Sequence, residues 1–141
     1  MTYVDSGVFV KMYLPEADSD TWRSRLAGRS DLVSSTLSLL EVRSALRQKV
    51  LAGFVRPKIA REIWTDFLDT VRRGIIQLFP VGSDIIEGSI RLLDELPTNI
   101  LLRSLDACHL ATARFHRCRD VATSDGRMRS AANALRIPLL A

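Results

Sequence analysis

Short apolar runs alternate along this chain with longer stretches that have helical hydrophobic spacing. The apolar runs predict five β-strands, at residues 2–5, 31–35, 75–81, 120–124 and 137–140. The longer stretches predict seven helices, at residues 6–14, 17–28, 36–53, 58–73, 83–96, 104–118 and 125–135. Strands that alternate with helices in this way favour an α/β fold, with a parallel sheet and helices on both of its faces.

The length and composition are those of an ordinary globular protein. The 141 residues suit one domain with one sizeable core, so we expect a single domain over residues 1–141. Hydrophobic residues make up 47% of the chain, but no apolar run approaches the ~18 residues of a membrane span. Asp5 and the lack of a basic N-terminal segment argue against a signal peptide. We therefore expect a soluble, cytoplasmic protein with no membrane association.

The chain is basic, and its charge is unevenly distributed. The formal net charge is +4, and 17 of the 20 basic residues are arginines. Residues 103–136 hold seven arginines and three acids, so this segment alone accounts for the net charge. Guanidinium groups bind phosphates in a bidentate manner, which favours a polyanionic partner. A GC-rich coding sequence would also favour arginine over lysine, and composition alone leaves both explanations open.

The stretch RSLDACHLATA, residues 103–113, places three residues capable of binding metals close together. Neighbouring residues on a helix point about 100° apart, so Cys108 and His109 do not readily share a metal ion. No Cys-x-x-Cys or paired histidines complete a zinc site, and we expect Cys108 and Cys118 to be free thiols. We predict that Cys108 is a core residue, that His109 is a hydrogen-bonded packing residue, and that Asp106 is the candidate ligand.

Four acids stand where a parallel α/β fold would bring them together. Asp5 and Asp125 follow predicted strands, and ligands bind such sheets beyond the carboxyl ends of the strands. Glu41 and Asp106 lie on predicted helices beside apolar residues, where a carboxylate needs a partner. Clustered carboxylates raise each other's pKa, and a divalent cation removes that repulsion. Oxygen ligands of this kind suit Mg²⁺ or Mn²⁺.

Each acid also has a structural explanation. Asp5 could start a turn or cap a short helix. Glu41 follows Ser38 by three residues, as in a capping box. Asp106 lies in the first turn of its helix, where the helix dipole favours an acid, and Asp125 could be the N-cap of the last helix. The sequence alone leaves these alternatives open.

Four segments carry a resemblance to a known family: TYVDSGVFVKMYLPE, SLLEVRSALRQK, RSLDACHLATA and VATSDGRM. In this order and spacing they resemble a PIN domain, and more narrowly the VapC toxins of bacterial toxin–antitoxin pairs. The resemblance covers nearly the whole chain. It implies a three-layer αβα sandwich with a five-stranded parallel sheet of order 3-2-1-4-5, and a Mg²⁺- or Mn²⁺-dependent endoribonuclease.

The resemblance also assigns site residues. The family's acidic quartet falls here on Asp5, Glu41, Asp106 and Asp125. Its hydroxyl positions fall on Ser6 and Thr123, which hold metal-bound water or orient the acids. Two departures are Gly7 and Gly126, where relatives carry larger residues, and we expect Gly126 to loosen the hold on Asp125.

The implied reaction is hydrolysis of an RNA phosphodiester by a metal-activated water. Asp5, Asp106 and Asp125 would be metal ligands, and Glu41 would be a ligand through water or would orient the nucleophile. The candidates for binding the RNA backbone are Arg103, Arg127 and Arg129. The alternative for each arginine is a solvated surface charge.

The resemblance implies protein partners as well. A toxin of this kind is expected to bind a VapB-like antitoxin that blocks the acidic crevice, and to form a homodimer. Trp22 and Trp64 lie on predicted amphipathic helices, where core packing is the expected role and a partner interface is the alternative. A rival function is a non-catalytic module that only binds nucleic acid or a protein partner; metal-dependent turnover distinguishes the two.

Other acid-centred α/β enzymes fit the sequence less well. A receiver-type phosphoacceptor needs a late lysine, but the lysines are Lys11, Lys49 and Lys58. A haloacid-dehalogenase-type phosphatase needs Asp-x-Asp, but position 7 is Gly7. A flap-endonuclease-type DNA nuclease shares the acidic chemistry, but this chain is too short for its DNA-clamping insertions.

Overall fold

A four-stranded parallel sheet forms the centre of the fold. The computed structural model describes all 141 residues. The strands are β1 (Thr2–Val4), β2 (Leu32–Ser35), β3 (Ile76–Phe79) and β4 (Asp120–Ala122). They lie in the order β3-β2-β1-β4, and every neighbouring pair is parallel. The carboxyl ends of all four strands therefore meet at one edge of the sheet.

Seven helices connect and flank the strands, and all seven are predicted by the hydrophobic pattern to within a few residues. They are α1 (Ser6–Tyr13), α2 (Ser19–Leu26), α3 (Leu37–Leu51), α4 (Pro57–Arg72), α5 (Ser83–Glu95), α6 (Ser104–Phe115) and α7 (Gly126–Ala134). Pro57 is the first residue of α4, where its missing N–H has no intrahelical partner to lose. Gly53, just after α3, has a positive φ, the conformation that commonly ends a helix.

The prediction of a fifth strand at 137–140 is wrong. This segment lies beside β4 but forms only a single parallel bridge, between Val121 and Leu139. The backbone N–H of Val121 donates to the Pro138 carbonyl, and that of Leu140 donates to the Val121 carbonyl. Pro138 has no N–H with which to extend the ladder toward Arg119, so the pairing stops after one bridge. The sheet order is therefore 3-2-1-4 rather than 3-2-1-4-5.

Each face of the sheet carries its own hydrophobic core of fifteen buried residues. One core joins the sheet to α5, α6 and α7, and the other joins it to the helices α1 to α4. Strand β1 supplies Tyr3 to the first core and Val4 to the second, because successive strand residues point to opposite faces. Trp22 is buried in the second core and Trp64 packs against it, as expected for core residues.

Two smaller expectations concern membranes and thiols. None of the seven helices is long and apolar enough to cross a membrane. Cys108 is buried and Cys118 is half-buried, and both are free thiols, as the sequence predicts.

Candidate active site

The four acids of the predicted quartet all contribute to one electrostatic cluster at the carboxyl edge of the sheet. Asp5 directly follows β1, Asp125 follows β4, Glu41 lies early in α3, and Asp106 lies in the first turn of α6. Burial raises the pKa of Asp106, and the negative charges of Asp125, Asp5 and Glu41 raise it further. Such coupling requires the carboxylates to be close to one another. The fold therefore brings together acids that are up to 120 positions apart in the sequence.

Asp5 is buried and is held by two hydroxyls. The Ser6 hydroxyl donates to Oδ1 at 3.3 Å, and the Thr123 hydroxyl donates to Oδ2 at 3.0 Å. Burial raises the pKa of the Asp5 carboxyl, although these hydrogen bonds and nearby His109 oppose the shift. Asp5 occupies the N-cap position of α1 but makes no side-chain cap hydrogen bond, so the capping explanation is wrong for this residue. Of the two roles expected for Ser6 and Thr123, orienting an acid matches their contacts.

Asp125 is the N-cap of α7. Its Oδ1 accepts hydrogen bonds from the backbone N–H groups of Arg127, at 2.8 Å, and Met128, at 3.0 Å. The structural explanation therefore applies to Asp125, but it uses only one of the two carboxylate oxygens. The backbone N–H of Asp125 also donates to the Thr123 hydroxyl at 3.1 Å, which links Asp125 to Asp5. The cap donors lie beyond Gly126, and the expected loosening at this position stays a prediction.

Glu41 is held by a histidine. Its Oε2 lies 2.5 Å from Nε2 of His109, and the other ring nitrogen, Nδ1, lies 2.6 Å from the Tyr3 hydroxyl. The capping-box explanation for Glu41 is wrong, because the Ser38 hydroxyl pairs instead with the Ser34 hydroxyl at 2.7 Å. His109 is buried and hydrogen-bonded, as the sequence predicts, but the sequence does not indicate that Glu41 is its partner. The available signal was its position three residues after Asp106, on the same side of α6.

The contact between Glu41 and His109 favours a negatively charged carboxylate beside a positively charged imidazole. Burial is the largest single effect on both groups and disfavours their charged forms, but the hydrogen bond and charge attraction between them, together with contributions from neighbouring side chains, outweigh it. The pKa of Glu41 is lowered and the pKa of His109 is raised as a result. Glu41 is therefore ionised near neutral pH, whereas burial raises the pKa values of Asp5 and Asp106, and the charges of neighbouring carboxylates raise them further.

The residues of the cluster suit a hard divalent cation by their chemistry. The donors are carboxylate and hydroxyl oxygens, the ligands that Mg²⁺ and Mn²⁺ prefer. As the side chains stand, no three acidic, histidine or cysteine groups converge on a point that would hold one ion. Three of the acids are turned toward protein donors: Asp5 toward hydroxyls, Glu41 toward His109, and Asp125 toward the backbone of α7. Binding of an ion would therefore require adjustment of these side chains.

The three candidate arginines differ in their contacts. Arg103 is exposed at the N-cap position of α6. Arg127 approaches Asp125, with its guanidinium 3.8 Å from Oδ2. Arg129 is exposed, but its guanidinium donates to the Thr123 carbonyl at 3.2 Å. Arg103 and Arg127 are thus better placed than Arg129 to contact a ligand.

A cavity of about 500 Å³ opens beside Asp125. It lies between the α5–α6 connection, which supplies Asn99 and Leu101, and the start of α7, which supplies Arg127 and Ser130. Its lining is mainly polar, and it adjoins one acid of the cluster. One acid of the cluster therefore borders a space whose lining also includes a basic side chain.

The chain is similar to known proteins along nearly its whole length. The model of the family described as PIN domain matches residues 2–134. Ribonuclease VapC46 of Mycobacterium tuberculosis (strain ATCC 25618 / H37Rv) is 35% identical over 144 residues, covering 99% of this chain and 95% of that protein. Ribonuclease VapC35 of Mycobacterium tuberculosis (strain CDC 1551 / Oshkosh) is 28% identical, covering 100% of this chain and 96% of that protein.

Solved structures share the fold at lower identity. Mycobacterium tuberculosis VapC20, described as a sarcin–ricin-loop-cleaving toxin, superposes with a TM-score of 0.74 at 17% identity over 93% of this chain and 95% of that one. FitAcB from Neisseria gonorrhoeae gives 0.71 at 18% identity, over 100% and 97% of the two chains. A toxin–antitoxin complex from Klebsiella pneumoniae gives 0.63 at 17% identity, over 89% and 87%.

Proposed function

This chain belongs to the PIN-domain family, and we propose that it is a Mg²⁺- or Mn²⁺-dependent endoribonuclease, the toxin of a VapBC-type toxin–antitoxin pair. In this proposal residues 1–141 form a single PIN domain. The observation that carries the proposal is the cluster of four carboxylates at the carboxyl edge of the sheet, in which burial and the charges of the other three acids raise the pKa of Asp106. The ribonuclease names of the full-length relatives support the same reaction.

The metal site would be formed by Asp5, Asp106 and Asp125, with Glu41 acting through water or by orienting the nucleophile. The bound cation would supply Lewis acidity and a water of lowered pKa. The chain itself contributes orientation and charge. Ser6 and Thr123 hold the Asp5 carboxylate, and the backbone of α7 holds Asp125.

The RNA would be held by positive charge beside the crevice. Arg103 and Arg127 are the candidates for contacts with backbone phosphates, with the cavity beside Asp125 as the space for adjoining nucleotides. Arg129 is a weaker candidate because its guanidinium is already bound to the Thr123 carbonyl. Because phosphate contacts release counterions, RNA affinity should fall steeply as the salt concentration rises.

The direct test is cleavage of a mixed RNA pool by the purified protein with Mg²⁺, with Mn²⁺ and with EDTA. The wild type should give discrete fragments only with metal, and Asp106→Asn should give none. Asp94→Asn is the matched control, because Asp94 is an exposed acid on α5 outside the cluster. Cleavage that persists in Asp106→Asn would reject the assignment. RNA binding by folded wild type, without turnover under any metal, would favour the non-catalytic module instead.

The antitoxin partner is proposed from a groove of about 460 Å³ between α3 and α4. Its lining includes Arg43, Arg47 and Arg61 beside the exposed side chains of Leu40 and Leu51. A surface that is both apolar and basic fits an amphipathic, acidic segment of a partner. A solved toxin–antitoxin complex with the same fold supports the proposal of an antitoxin partner.

Growth arrest on expression, relieved by a coexpressed VapB-like antitoxin, is the expected behaviour of a toxin. Arg47→Glu should weaken the copurified complex because it reverses the charge of one of the three arginines in the groove. If the coexpressed antitoxin gave no relief, the toxin role would fall even if the nuclease activity stood.

The homodimer is proposed from an exposed apolar stripe on α5. Ile86, Ile90 and Leu93 follow helical spacing and are each more than two-fifths exposed. A contiguous apolar stripe of this kind is typical of an interface. The wild type should elute as a dimer in size-exclusion chromatography with light scattering, and Ile90→Glu as a monomer. A monomeric wild type would reject the homodimer.

A further inference from the structure

His109 lies under the acidic cluster and is hydrogen-bonded through both ring nitrogens. Its Nε2 lies 2.5 Å from Glu41 Oε2, and its Nδ1 lies 2.6 Å from the Tyr3 hydroxyl. The side chain is completely buried, and the Tyr3 and His109 rings pack edge to face, with their centroids 5.8 Å apart. The imidazole is therefore fixed by packing as well as by hydrogen bonds, and it joins β1 to α3.

The direction of the hydrogen bond to Glu41 follows from the chemistry of the partners. An ionised carboxylate only accepts hydrogen bonds, so Nε2 of His109 carries the proton and donates it. This holds whether the ring is neutral or charged, because Nε2–H is present in both forms. The Tyr3 side chain is completely buried at the first core, so its hydroxyl is a fixed anchor for the second ring nitrogen.

We propose that His109 is a positioning residue that orients Glu41 toward the acidic cluster, with Tyr3 holding the imidazole in place. The Nε2–H group engages Oε2 and leaves Oε1 for partners in the crevice. Ligand-binding groups that are oriented in this way by a second residue depend on it for metal affinity. The effect on catalysis rests on the proposed function, whereas the hydrogen bond itself does not.

The experiment compares two substitutions of His109 in the full-length protein, purified free of antitoxin. His109→Leu fills the space without a donor, whereas His109→Gln can still donate an N–H to Glu41. Mn²⁺ affinity is measured by electron paramagnetic resonance of the free ion, and kcat and KM are measured on an RNA oligonucleotide that the wild type cleaves. His109→Leu should weaken Mn²⁺ binding about 10–100-fold and lower kcat with little change in KM. His109→Gln should retain most of the Mn²⁺ affinity and most of the wild-type kcat. Tyr3→Phe should give values between those of the two His109 variants.

Melting temperatures show whether each variant is folded, and two further outcomes decide against the proposal. Wild-type Mn²⁺ affinity and kcat in folded His109→Leu would overturn it and leave the nuclease assignment standing. Equal losses of Mn²⁺ affinity and kcat in folded His109→Leu and His109→Gln would also overturn it, because the N–H group that donates to Glu41 would then be irrelevant.

A nuclear magnetic resonance measurement tests the hydrogen bond without metal or RNA. The Nε2–H proton of His109 should be protected from exchange and shifted downfield, and should move upfield in Glu41→Gln, since a neutral amide accepts a weaker hydrogen bond. An unchanged signal in Glu41→Gln would overturn the proposal, even if His109→Leu fails to fold. A wild-type protein that neither binds Mn²⁺ nor cleaves RNA would instead reject the proposed function. The Nε2–H signal of His109 would still decide whether this residue orients Glu41.

Discussion

Asp5 and Asp125 both follow strands of the sheet, and the Thr123 hydroxyl is hydrogen-bonded to both residues. It donates to Asp5 Oδ2 and accepts from the backbone N–H of Asp125. One buried hydroxyl therefore serves two acids. This role is a property of contacts between distant parts of the chain, since Asp5 and Thr123 are 118 positions apart.

Thr123→Val should destabilise the protein because it removes this hydroxyl and leaves a buried carboxylate oxygen without its donor. Loss of such a hydrogen bond costs about 1–3 kcal/mol of the free energy of unfolding. Thr123→Ser keeps the hydroxyl and is the matched control. Urea unfolding measures the difference, and equal stability of the valine and serine variants would contradict the predicted role.

Glu16 predicts a pH dependence away from the acidic cluster. Its carboxylate contacts Lys49 at 2.5 Å and Lys11 at 3.0 Å. The hydrogen bond from Lys49, assisted by Lys11, lowers the pKa of Glu16 below its ordinary value of 4.5. A lowered folded-state pKa stabilises the protein above the unfolded-state pKa, and this stabilisation is lost as the pH falls through the folded-state value.

Glu16→Gln should therefore be less stable than the wild type at pH 7, and the difference should disappear as the pH falls below about 4. Chemical unfolding of both proteins across this range measures it. Asp18 and Asp31 also have lowered pKa values, so both proteins lose stability in acid. A difference between them that stays constant with pH would show that the Glu16 charge is not the cause.

At the scale of elements, the hydrophobic pattern predicts all seven helices and four strands, because each buries a face of the expected period. It fails for the segment at 137–140, where IPLL is apolar enough for a strand but Pro138 removes a ladder hydrogen bond. Capping arguments are less reliable than periodicity here. Asp125 caps α7, but Asp5 and Glu41, which fit caps equally well by sequence, make other contacts.

Helix α7 allows the two roles of Asp125 to be separated. Asparagine is as good an N-cap as aspartate, so Asp125→Asn should keep the stability of the wild type, whereas Asp125→Ala should lose about 1 kcal/mol. Both variants remove a carboxylate from the cluster, so both should lose RNA cleavage. Thermal unfolding and the cleavage assay together test this prediction. Full cleavage by Asp125→Asn would show that the carboxylate serves only α7.

At the scale of the whole molecule, the parallel sheet brings together four acids that are far apart in the sequence. The sequence identified the four acids because two follow strands and two interrupt apolar helices. It could not identify the Glu41–His109 hydrogen bond, which joins residues 68 positions apart. Nor could it show that three of the four acids are turned toward protein donors rather than toward one point. Both depend on how the helices pack on the two faces of the sheet.

The raised pKa of Asp106 predicts how the protein responds to metal. Burial, and then the neighbouring carboxylates, raise the pKa of Asp106, so its ionised form destabilises the metal-free protein near neutral pH. Asp106→Asn should therefore melt at a higher temperature than the wild type in EDTA. Mn²⁺ should stabilise the wild type, by about 2.7 kcal/mol at a hundredfold excess over Kd, and should stabilise the variant less. Equal responses to Mn²⁺ would mean that the ion binds elsewhere.

Strand β1 has a consequence for how this molecule can vary over evolutionary time. Tyr3 on this strand contacts His109, Val4 packs in the opposite core, and Asp5 directly follows the strand. A substitution changes one of these contacts. The insertion or deletion of one residue would instead turn Tyr3 and Val4 toward the wrong faces of the sheet and would displace Asp5 at the same time. The start of this chain should therefore accept changes of side chain far more readily than changes of length.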